Sequence, residues 1–323
     1  MSVGSTERSR AAQEKGGGRT CAWVFMLGHG GGIVSGDRMR MRVDAREEST
    51  AIITTQASSK IFQSIHGKVS RQGMVAKVEH GALLAIIVDP VVPYARSRYI
   101  QRQKFFIAGK REGKKAGSLL LIDWFTSGRH ACGEVWEADY LETHNDVFVD
   151  GQLLVHDAIV LDKEDKSGLT VMERMLPFNC YANVILLGPR LASISSRILS
   201  VRDAEEEGKG LEEEERAEER AEEEEQEEEE EGNEAAGRLR AGAGGLGTHG
   251  EGLHIRAAAE DKDELPGAAG GGARRASKLG EDGVFLRVAG RGYMDVEGFL
   301  RHELDGLVEE CGEELWKRKY SYH

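Results

Sequence analysis

Cysteine is scarce in this sequence, and the few cysteines lie far apart. The 323 residues contain four of them, none in a C-x-x-C pair: Cys21, Cys132, Cys180 and Cys311. This spacing argues against a zinc ribbon and against a disulfide framework. The simple inference is a reducing compartment.

Long apolar runs are also missing. No stretch approaches the roughly 18 consecutive apolar residues that a membrane-spanning helix requires. The first residues of the chain, 1–18, are polar and lack the apolar centre of a signal peptide. We therefore predict a cytoplasmic protein with no membrane partner.

A basic excess is absent too, although the overall composition hides this. The chain has 43 basic and 56 acidic residues, but residues 203–231 alone hold 19 acidic and three basic ones, a local net charge of −16. The rest carries 40 basic and 37 acidic residues. Nucleic-acid binding requires a clustered basic excess, so we predict no nucleic-acid partner.

One catalytic motif is present only in part. His29-Gly30-Gly31-Gly32 spells the HGGG oxyanion-hole signature of esterases. That chemistry also needs a serine in a G-x-S-x-G elbow, and the sequence has none. The glycines are better interpreted as turn or close-contact positions.

Metal-binding patterns are weak. His130 and Cys132 stand two residues apart, so a strand would place both on one face, and each is an acceptable ligand for Ni²⁺ or Zn²⁺. Two ligands do not close a site, and a surface histidine beside a small core cysteine is the alternative. The remaining histidines show no H-x-x-H or H-E-x-x-H spacing.

The chain divides into four predicted parts. Residues 1–20 form a flexible leader, 21–201 a β-rich domain, 202–283 a disordered acidic and then Gly/Ala-rich insert, and 284–323 a strand and helix that complete the domain. Short β-prone runs fill the second part: Ala22–Leu27, Arg38–Val43, Ala51–Gln56, Met74–Val78, Ala82–Val88, Lys104–Ile107, Leu119–Phe125, Asp146–Val149, Leu153–Leu161 and Asn183–Leu187.

The fold class follows from what separates these runs. No amphipathic helix of 10 to 15 residues intervenes, which excludes a βαβ succession. We predict a mainly β protein whose many short strands form stacked or coiled sheets, β-helix-like or sandwich-like. A C-terminal strand, Val284–Val288, precedes a helix with Asp295 as N-cap and Cys311-Gly312 at its end. Its apolar face holds Val296, Phe299, Leu300, Leu304, Leu307 and Val308.

Residues 30–60 carry the main functional clue. Gly30 to Asp37 read GGGIVSGD, a tight connection that opens into the alternating run from Arg38, and Thr54 to Lys60 read TTQASSK. Their order and spacing resemble the urease accessory protein UreD (UreH) family. Other segments are similar to family motifs in the same order: Asp89–Gln103, Leu121–Arg129, Glu134–Trp136, Val149–Gly151, Met172–Arg174 and Val284–Gly290.

The resemblance implies a specific role. Proteins of this family are non-enzymatic scaffolds between apo-urease and the helical accessory protein UreF, which in turn holds the GTPase UreG. The assembly delivers nickel to urease, and the β-scaffold offers a polar route through which Ni²⁺ passes. No tightly bound cofactor is implied, only transient Ni²⁺. The family has strands before its first motif that are not matched here, so the N-terminal sheet edge is expected to be incomplete.

The candidate site residues come from these motifs. Hard oxygen ligands suit an ion in transit, which predicts weak nickel contacts at Asp37, Glu134 and Glu173. Partner or tunnel positions are Gly30, Gly31, Gly32, Gly36, Thr55, Gln56, Ser59, Lys60, Asp123 and Arg129. The alternative for the carboxylates is a turn aspartate and surface ion pairs.

A second function class also remains open. The acidic run and the ten histidines favour an independent nickel-binding or divalent-metal storage protein, since carboxylate runs bind such ions loosely.

Overall fold

The computed structural model describes residues 7–8, 21–28, 31–203 and 272–311. Most of the predicted leader, His29 and Gly30, the insert from residue 204 to 271, and Gly312 lie outside the described residues. The chain divides into two compact units, residues 1–199 with 266–323, and residues 200–265. The sheets described below belong to the first unit.

Strands dominate the described chain, and the sequence patterns place most of them. The strands in chain order are β1 Glu7–Arg8, β2 Cys21–Met26, β3 Arg38–Ala45, β4 Thr50–Thr55, β5 Ser59–Ile61, β6 Ser70–Val78, β7 Leu83–Ile87, β8 Val91–Pro93, β9 Arg98–Ile107, β10 Ser118–Thr126, β11 Tyr140–Val149, β12 Gln152–Asp162, β13 Cys180–Leu187, β14 Ala273–Leu279 and β15 Gly283–Gly290. Every predicted β-prone run overlaps one of them.

The helices are fewer and shorter. They are α1 Val171–Met175, α2 at residues 192–203, α3 Tyr293–Glu303 and α4 Val308–Cys311. Among the described residues, no helix combines the length and the apolar character needed to cross a bilayer.

The strands form two sheets that the chain visits alternately. The larger sheet has the order β1-β2-β4-β7-β10-β13-β15-β14, and the smaller has the order β12-β11-β9-β6-β3. The chain passes from β2 to β3, from β4 to β6, from β7 to β9 and from β10 to β11. Equivalent strands of successive passes pair in parallel. These are stacked, solenoid-like coils, which confirms the predicted fold class.

Short strands form a third side of the coils, where the chain passes from the larger sheet to the smaller one. Ile33 bridges to Ile61 in β5, β5 pairs with β8, and β8 pairs with the end of β10, all in parallel. After β11 the pattern changes, because β12, β13, β14 and β15 all pair antiparallel. The solenoid therefore grades into an antiparallel end.

The larger sheet is buried on both faces. Its central strands β7 and β10 are buried at every position, as expected where apolar runs are continuous rather than alternating. One face packs on the smaller sheet through side chains such as Leu121 and Phe105. The other face packs on α2 and α3, through Ile198 and Leu300 among others.

Helix α2 was not predicted. Its sequence from Ala192 is rich in serine and β-branched residues, which have modest helix propensity. The signal was the i, i+4 pair Ile194 and Ile198, which lie buried against the larger sheet. Packing of this pair outweighs the low propensity of its neighbours.

Two boundaries at the C-terminal end also differ from prediction. Asp295 is not the N-cap of α3, because the helix begins at Tyr293 and the Asp295 carboxylate accepts a hydrogen bond from the Gly292 N–H at 2.9 Å. Strand β14 lies within residues 202–283, which were predicted as disordered. β14 buries little side-chain surface, so backbone pairing with β15 places it, and composition alone could not indicate that.

Candidate functional site: a buried polar layer between the sheets

The glycine motif forms a corner of the first coil. The Ile33 N–H donates to the Lys60 carbonyl at 2.8 Å, which places the GGGIVSGD and TTQASSK segments side by side. A side chain at Gly32 would lie 2.6 Å from the Lys60 carbonyl oxygen, and Gly36 has φ +85°. The interpretation of these glycines as turn and close-contact positions is therefore confirmed at both positions.

At the end of β4, a polar side chain forms hydrogen bonds with the neighbouring coil. Thr55 donates through its hydroxyl to the Asp89 carboxylate at 2.6 Å and accepts from the Asp89 N–H at 2.7 Å. Gln56 and Lys60 are exposed and Ser59 is half-buried. Of the four predicted site residues in this segment, only Thr55 is buried.

Glu134 is fixed by its neighbours at another corner. The Arg129 guanidinium donates to both carboxylate oxygens of Glu134, through Nε at 2.8 Å, and lies 4.0 Å above the Tyr94 ring. The hydrogen bond from Arg129 lowers the pKa of Glu134. Arg129 and Glu134, which were both predicted as site residues, thus form one ion pair.

Glu173 caps a helix. Its carboxylate accepts from the Thr170 N–H at 2.7 Å, and its own N–H donates to the Thr170 hydroxyl at 3.2 Å, which is a capping box. The Thr170 hydroxyl also donates to this carboxylate at 2.7 Å, and this bond, together with the one from the Thr170 N–H, lowers the pKa of Glu173. Asp37 likewise closes its own turn, accepting from the Val34 N–H at 3.2 Å.

The three carboxylates predicted to contact nickel therefore occupy separate local structures and are not brought together. Among the described residues, no group of three or more His, Cys, Asp or Glu side chains is placed to hold a metal ion. Their contact with nickel in transit stays a prediction.

His130 and Cys132 do not lie on a strand, contrary to prediction. They form a 3₁₀ turn that ends at Gly133 with φ +75°. His130 Nε2 lies 2.8 Å from the Ser127 hydroxyl, but Ser127 is buried, with 1% exposed. No hydrogen bond joins a carboxylate to His130 within the described residues, so this pair lacks the third member of an esterase triad.

Between the two sheets lies a cluster of buried polar side chains, which we call the polar layer. Strands of the smaller sheet contribute four members and strands of the larger sheet contribute two: Gln101, Gln103, Asn145, Asp157, Asp123 and Asn183. Apolar core lies on one side of it around Phe105 and on the other around Tyr99.

Asn145 is the centre of the polar layer. Its amide Nδ2 donates to Asp123 at 2.6 Å and lies 3.3 Å from Asp157, while its carbonyl oxygen accepts from Gln103 at 3.0 Å. Gln101 donates to the other Asp123 oxygen at 2.7 Å. Each buried carboxylate is thereby solvated by amides, which offsets the cost of burying its charge.

The polar layer reaches the surface at one end. Asp157 accepts from Asn183 at 2.8 Å and lies 3.4 Å from an Arg287 nitrogen on β15. The Asp157 side chain is 1% exposed, whereas that of Arg287 is 62% exposed. At the other end, the Tyr99 hydroxyl donates towards Gln101 and Gln72. The layer thus forms a continuous hydrogen-bonded path from solvent into the core.

Comparison with known proteins identifies the family. A family model described as UreD urease accessory protein matches residues 5–288. The chain belongs to the UreD family.

Named relatives match a shorter region. Urease accessory protein D of Oryza sativa subsp. indica is 37% identical over 177 residues, which is 55% of each chain. Urease accessory protein D of Arabidopsis thaliana is 36% identical over 182 residues, 56% of this chain and 59% of the relative. UreD of Anaeromyxobacter sp. is 35% identical over 179 residues, 55% and 57% respectively. The chain thus spans about half the length of the curated relatives it matches.

In this UreD chain, burial dominates the electrostatics of the polar layer. Burial raises the pKa of Asp123 from its ordinary 3.8 to about 6, and the nearby charge of Asp157 adds to the rise. Hydrogen bonds from Asn145 and Gln101 act in the opposite direction. Asp123 therefore changes charge close to neutral pH, far above the usual range of an aspartate.

We expect this shift to appear in the pH dependence of stability. Since the folded-state pKa is raised, the stabilising effect of protonated Asp123 is fully present below pH 4 and is lost as the pH rises to about 6. Asp123→Asn has no such titration. Its free energy of unfolding, measured relative to wild type by urea denaturation, should rise by about 2 kcal/mol between pH 4 and pH 7.

The same paired measurements, made at several pH values, include their own control. A loss of one hydrogen bond in Asp123→Asn shifts the difference equally at every pH, so only the slope reports the titration. A difference that stays constant from pH 4 to pH 7 would contradict a raised pKa at Asp123.

Sequence reasoning found one member of the polar layer, Asp123, and missed the others. Gln101 and Gln103 lie on the same face of β9 as Tyr99 and Phe105, so their inward direction was visible as a period of two. In the same way, Asn145 shares a face of β11 with Val147, and Asp157 shares a face of β12 with Val155. What was not visible was that the four positions fall next to each other across the coils.

Proposed function

We propose that this protein acts in urease maturation as a non-catalytic scaffold. Membership of the UreD family supports this role, as do the names of the relatives, which are urease accessory proteins. The proposed partners are apo-urease, a UreF-like accessory protein and, through the latter, a UreG-like GTPase. The proposed location is the cytoplasm, in keeping with three free cysteines in the described chain.

We further propose that nickel, as cargo, passes along the polar layer. Its oxygen donors are carboxylates and amide carbonyls, hard ligands that release Ni²⁺ more readily than thiolates do. The buried thiols of Cys21 and Cys180 lie on the opposite face of the larger sheet, away from these donors. The single observation that carries this proposal is the hydrogen-bonded path of buried oxygen donors from Arg287 to Tyr99.

The scaffold role is tested in cells that lack the endogenous protein. We expect the tagged chain to restore urease activity and to co-purify with urease subunits and with the UreF-like and UreG-like proteins. Restored activity without co-purification would contradict the scaffold, and co-purification without restored activity would contradict the role in maturation.

The storage alternative rests on the acidic run, most of which lies outside the described residues. Calorimetric titration with NiCl₂ separates the two functions. Tight binding that disappears when residues 204–271 are deleted, a deletion that leaves β14 in place, would favour storage, whereas the scaffold predicts that this deletion leaves partner binding intact.

A further inference from the structure

Strand β3 forms one edge of the smaller sheet. Within the described chain its only strand partner is β6, and the two pair in parallel without a register shift from Arg38 to Ala45. Eight residues at about 3.3 Å each give a straight edge of about 26 Å. β3 contains neither proline nor a bulge, which are two of the features that commonly blunt such an edge.

The free backbone groups of β3 can be assigned. The Asp37 carbonyl accepts from the Arg71 N–H at 2.8 Å, and the Ala45 carbonyl accepts from the Glu79 N–H at 2.9 Å. Odd-numbered residues therefore point their backbone groups at β6. Because direction alternates along a strand, the N–H and C=O groups of Arg38, Arg40, Arg42 and Asp44 point to the open side.

The same even-numbered residues present basic side chains to solvent. Arg42 is paired with Asp44 at 3.2 Å, but Arg38 and Arg40 have no ion-pair partner among the side chains that the structure describes. Arg71 lies directly beside Arg38 on the next strand. Beside the open edge, Arg38 and Arg40 therefore present two guanidinium groups that have no counter-charge among the described side chains.

The inward side chains of β3 are incompletely covered. Met41 and Val43 are half-buried, although Met74 and Ala76, their direct neighbours on β6, are 3% and 0% exposed. A further strand beside β3 would cover these apolar atoms as well as bond the free backbone groups.

We infer that the β3 edge binds an extended acidic segment of a partner protein by strand addition. The free amides and carbonyls supply the pairing, and carboxylates at every second position of the segment would meet Arg38 and Arg40. The predicted leader of this chain is a poor occupant, since residues 1–20 carry four basic and two acidic residues. Nothing in this edge depends on the proposed role in urease maturation.

The test uses the full chain and three fluorescent decapeptides. The first alternates Glu and Thr, the second replaces each Glu with Lys, and the third is the acidic peptide with every amide N-methylated. Fluorescence anisotropy should show binding of the first alone, because the second has the wrong charge and the third has no backbone N–H to donate along either edge.

Variants at Arg40 locate the site. Arg40→Pro removes a free N–H while leaving the β3–β6 bonds in place, as edge prolines do, and should weaken binding of the acidic peptide by about tenfold or more. Arg40→Glu should weaken it similarly and gain binding of the Lys peptide, a gain that misfolding cannot produce. Arg275→Ala, at an exposed position on the β14 edge, serves as the matched control and should bind as wild type does.

Several results would overturn the inference. These are no binding of the acidic peptide up to about 1 mM, equal binding of the Lys or N-methylated peptide, or an affinity that Arg40→Pro and Arg40→Glu leave unchanged. If the arginines serve only to prevent edge-to-edge aggregation, the first of these results is expected.

Discussion

Asn145→Asp should strongly destabilise this protein at neutral pH. The new carboxylate would lie where an amide now donates to Asp123 at 2.6 Å and approaches Asp157 at 3.3 Å. Three carboxylates would then share one buried site without a buried cation. Leaving a buried charge unpaired costs about 3–5 kcal/mol, and urea denaturation at pH 7 should show a loss in the free energy of unfolding of this size.

A charge swap provides the control. In Asp123→Asn/Asn145→Asp the acid and the amide exchange places, so the amide at position 123 donates to the carboxylate at 145, and Gln103 still donates to it. The hydrogen bond to Asp157 becomes a contact between two carboxylates at about the same 3.3 Å, so this part of the destabilisation remains. We therefore expect the double variant to recover part of the stability that Asn145→Asp loses, which is a coupling that independent sites would not show.

The pH dependence of the single variant follows from the same contacts. A carboxylate at position 145 would have a folded-state pKa raised by burial and by its neighbours, so its destabilising effect should fade as the pH drops towards 4. Two results would contradict the arrangement of the polar layer. One is a free energy of unfolding of Asn145→Asp within about 1 kcal/mol of wild type at pH 7, and the other is a double variant that is no more stable than Asn145→Asp.

There is a physical reason why some strands and helices could be predicted from the sequence and others could not. β3 and β10 were predictable because alternation and continuous burial are local patterns of side chains. The glycine corner was predictable because few residues tolerate the conformation of Gly36. Helix α2 and strand β14 were missed because contacts with distant strands, and not their own composition, place them.

The polar layer shows the same limit at the level of the site. Gln101, Asn145 and Asp157 share faces with apolar residues, but the sequence does not reveal that these faces meet one another between the two sheets. Their proximity depends on the register of three strands across two coils. Asp37, Glu134 and Glu173 were predicted as site residues because they lie in family-like motifs. In the structure those motifs form corners of the coils and the N-terminal cap of helix α1.

Removing both charges of the polar layer should abolish most urease activation. Asp123→Asn/Asp157→Asn keeps the size and most hydrogen bonds of the two side chains while eliminating their attraction for a cation in transit. If nickel passes along the layer, urease activity in complemented cells should fall by about tenfold or more, which corresponds to a barrier raised by about 1.4 kcal/mol or more. The accessory partners and urease should still co-purify with the variant.

Variants of the carboxylates that were predicted from the sequence should be measured in the same urease activation assay. The sequence-based hypothesis is that Asp37→Ala or Glu173→Ala impairs activation while the complex still forms. Glu173→Gln is the control for Glu173, since glutamine can retain the capping box with Thr170 but carries no charge. Impairment by Glu173→Ala that Glu173→Gln does not reproduce would therefore indicate a structural effect of the cap.

The ranking of these variants decides between two routes for the ion. Full activity in Asp123→Asn/Asp157→Asn, at normal protein levels and with excess nickel withheld, would eliminate the polar layer as the route. A loss confined to Asp37→Ala and to both Glu173 variants would instead place the route along the coil corners. Normal levels of the double variant, together with a free energy of unfolding close to that of wild type at pH 7, would assign a loss of activation to the route of the ion and not to the fold.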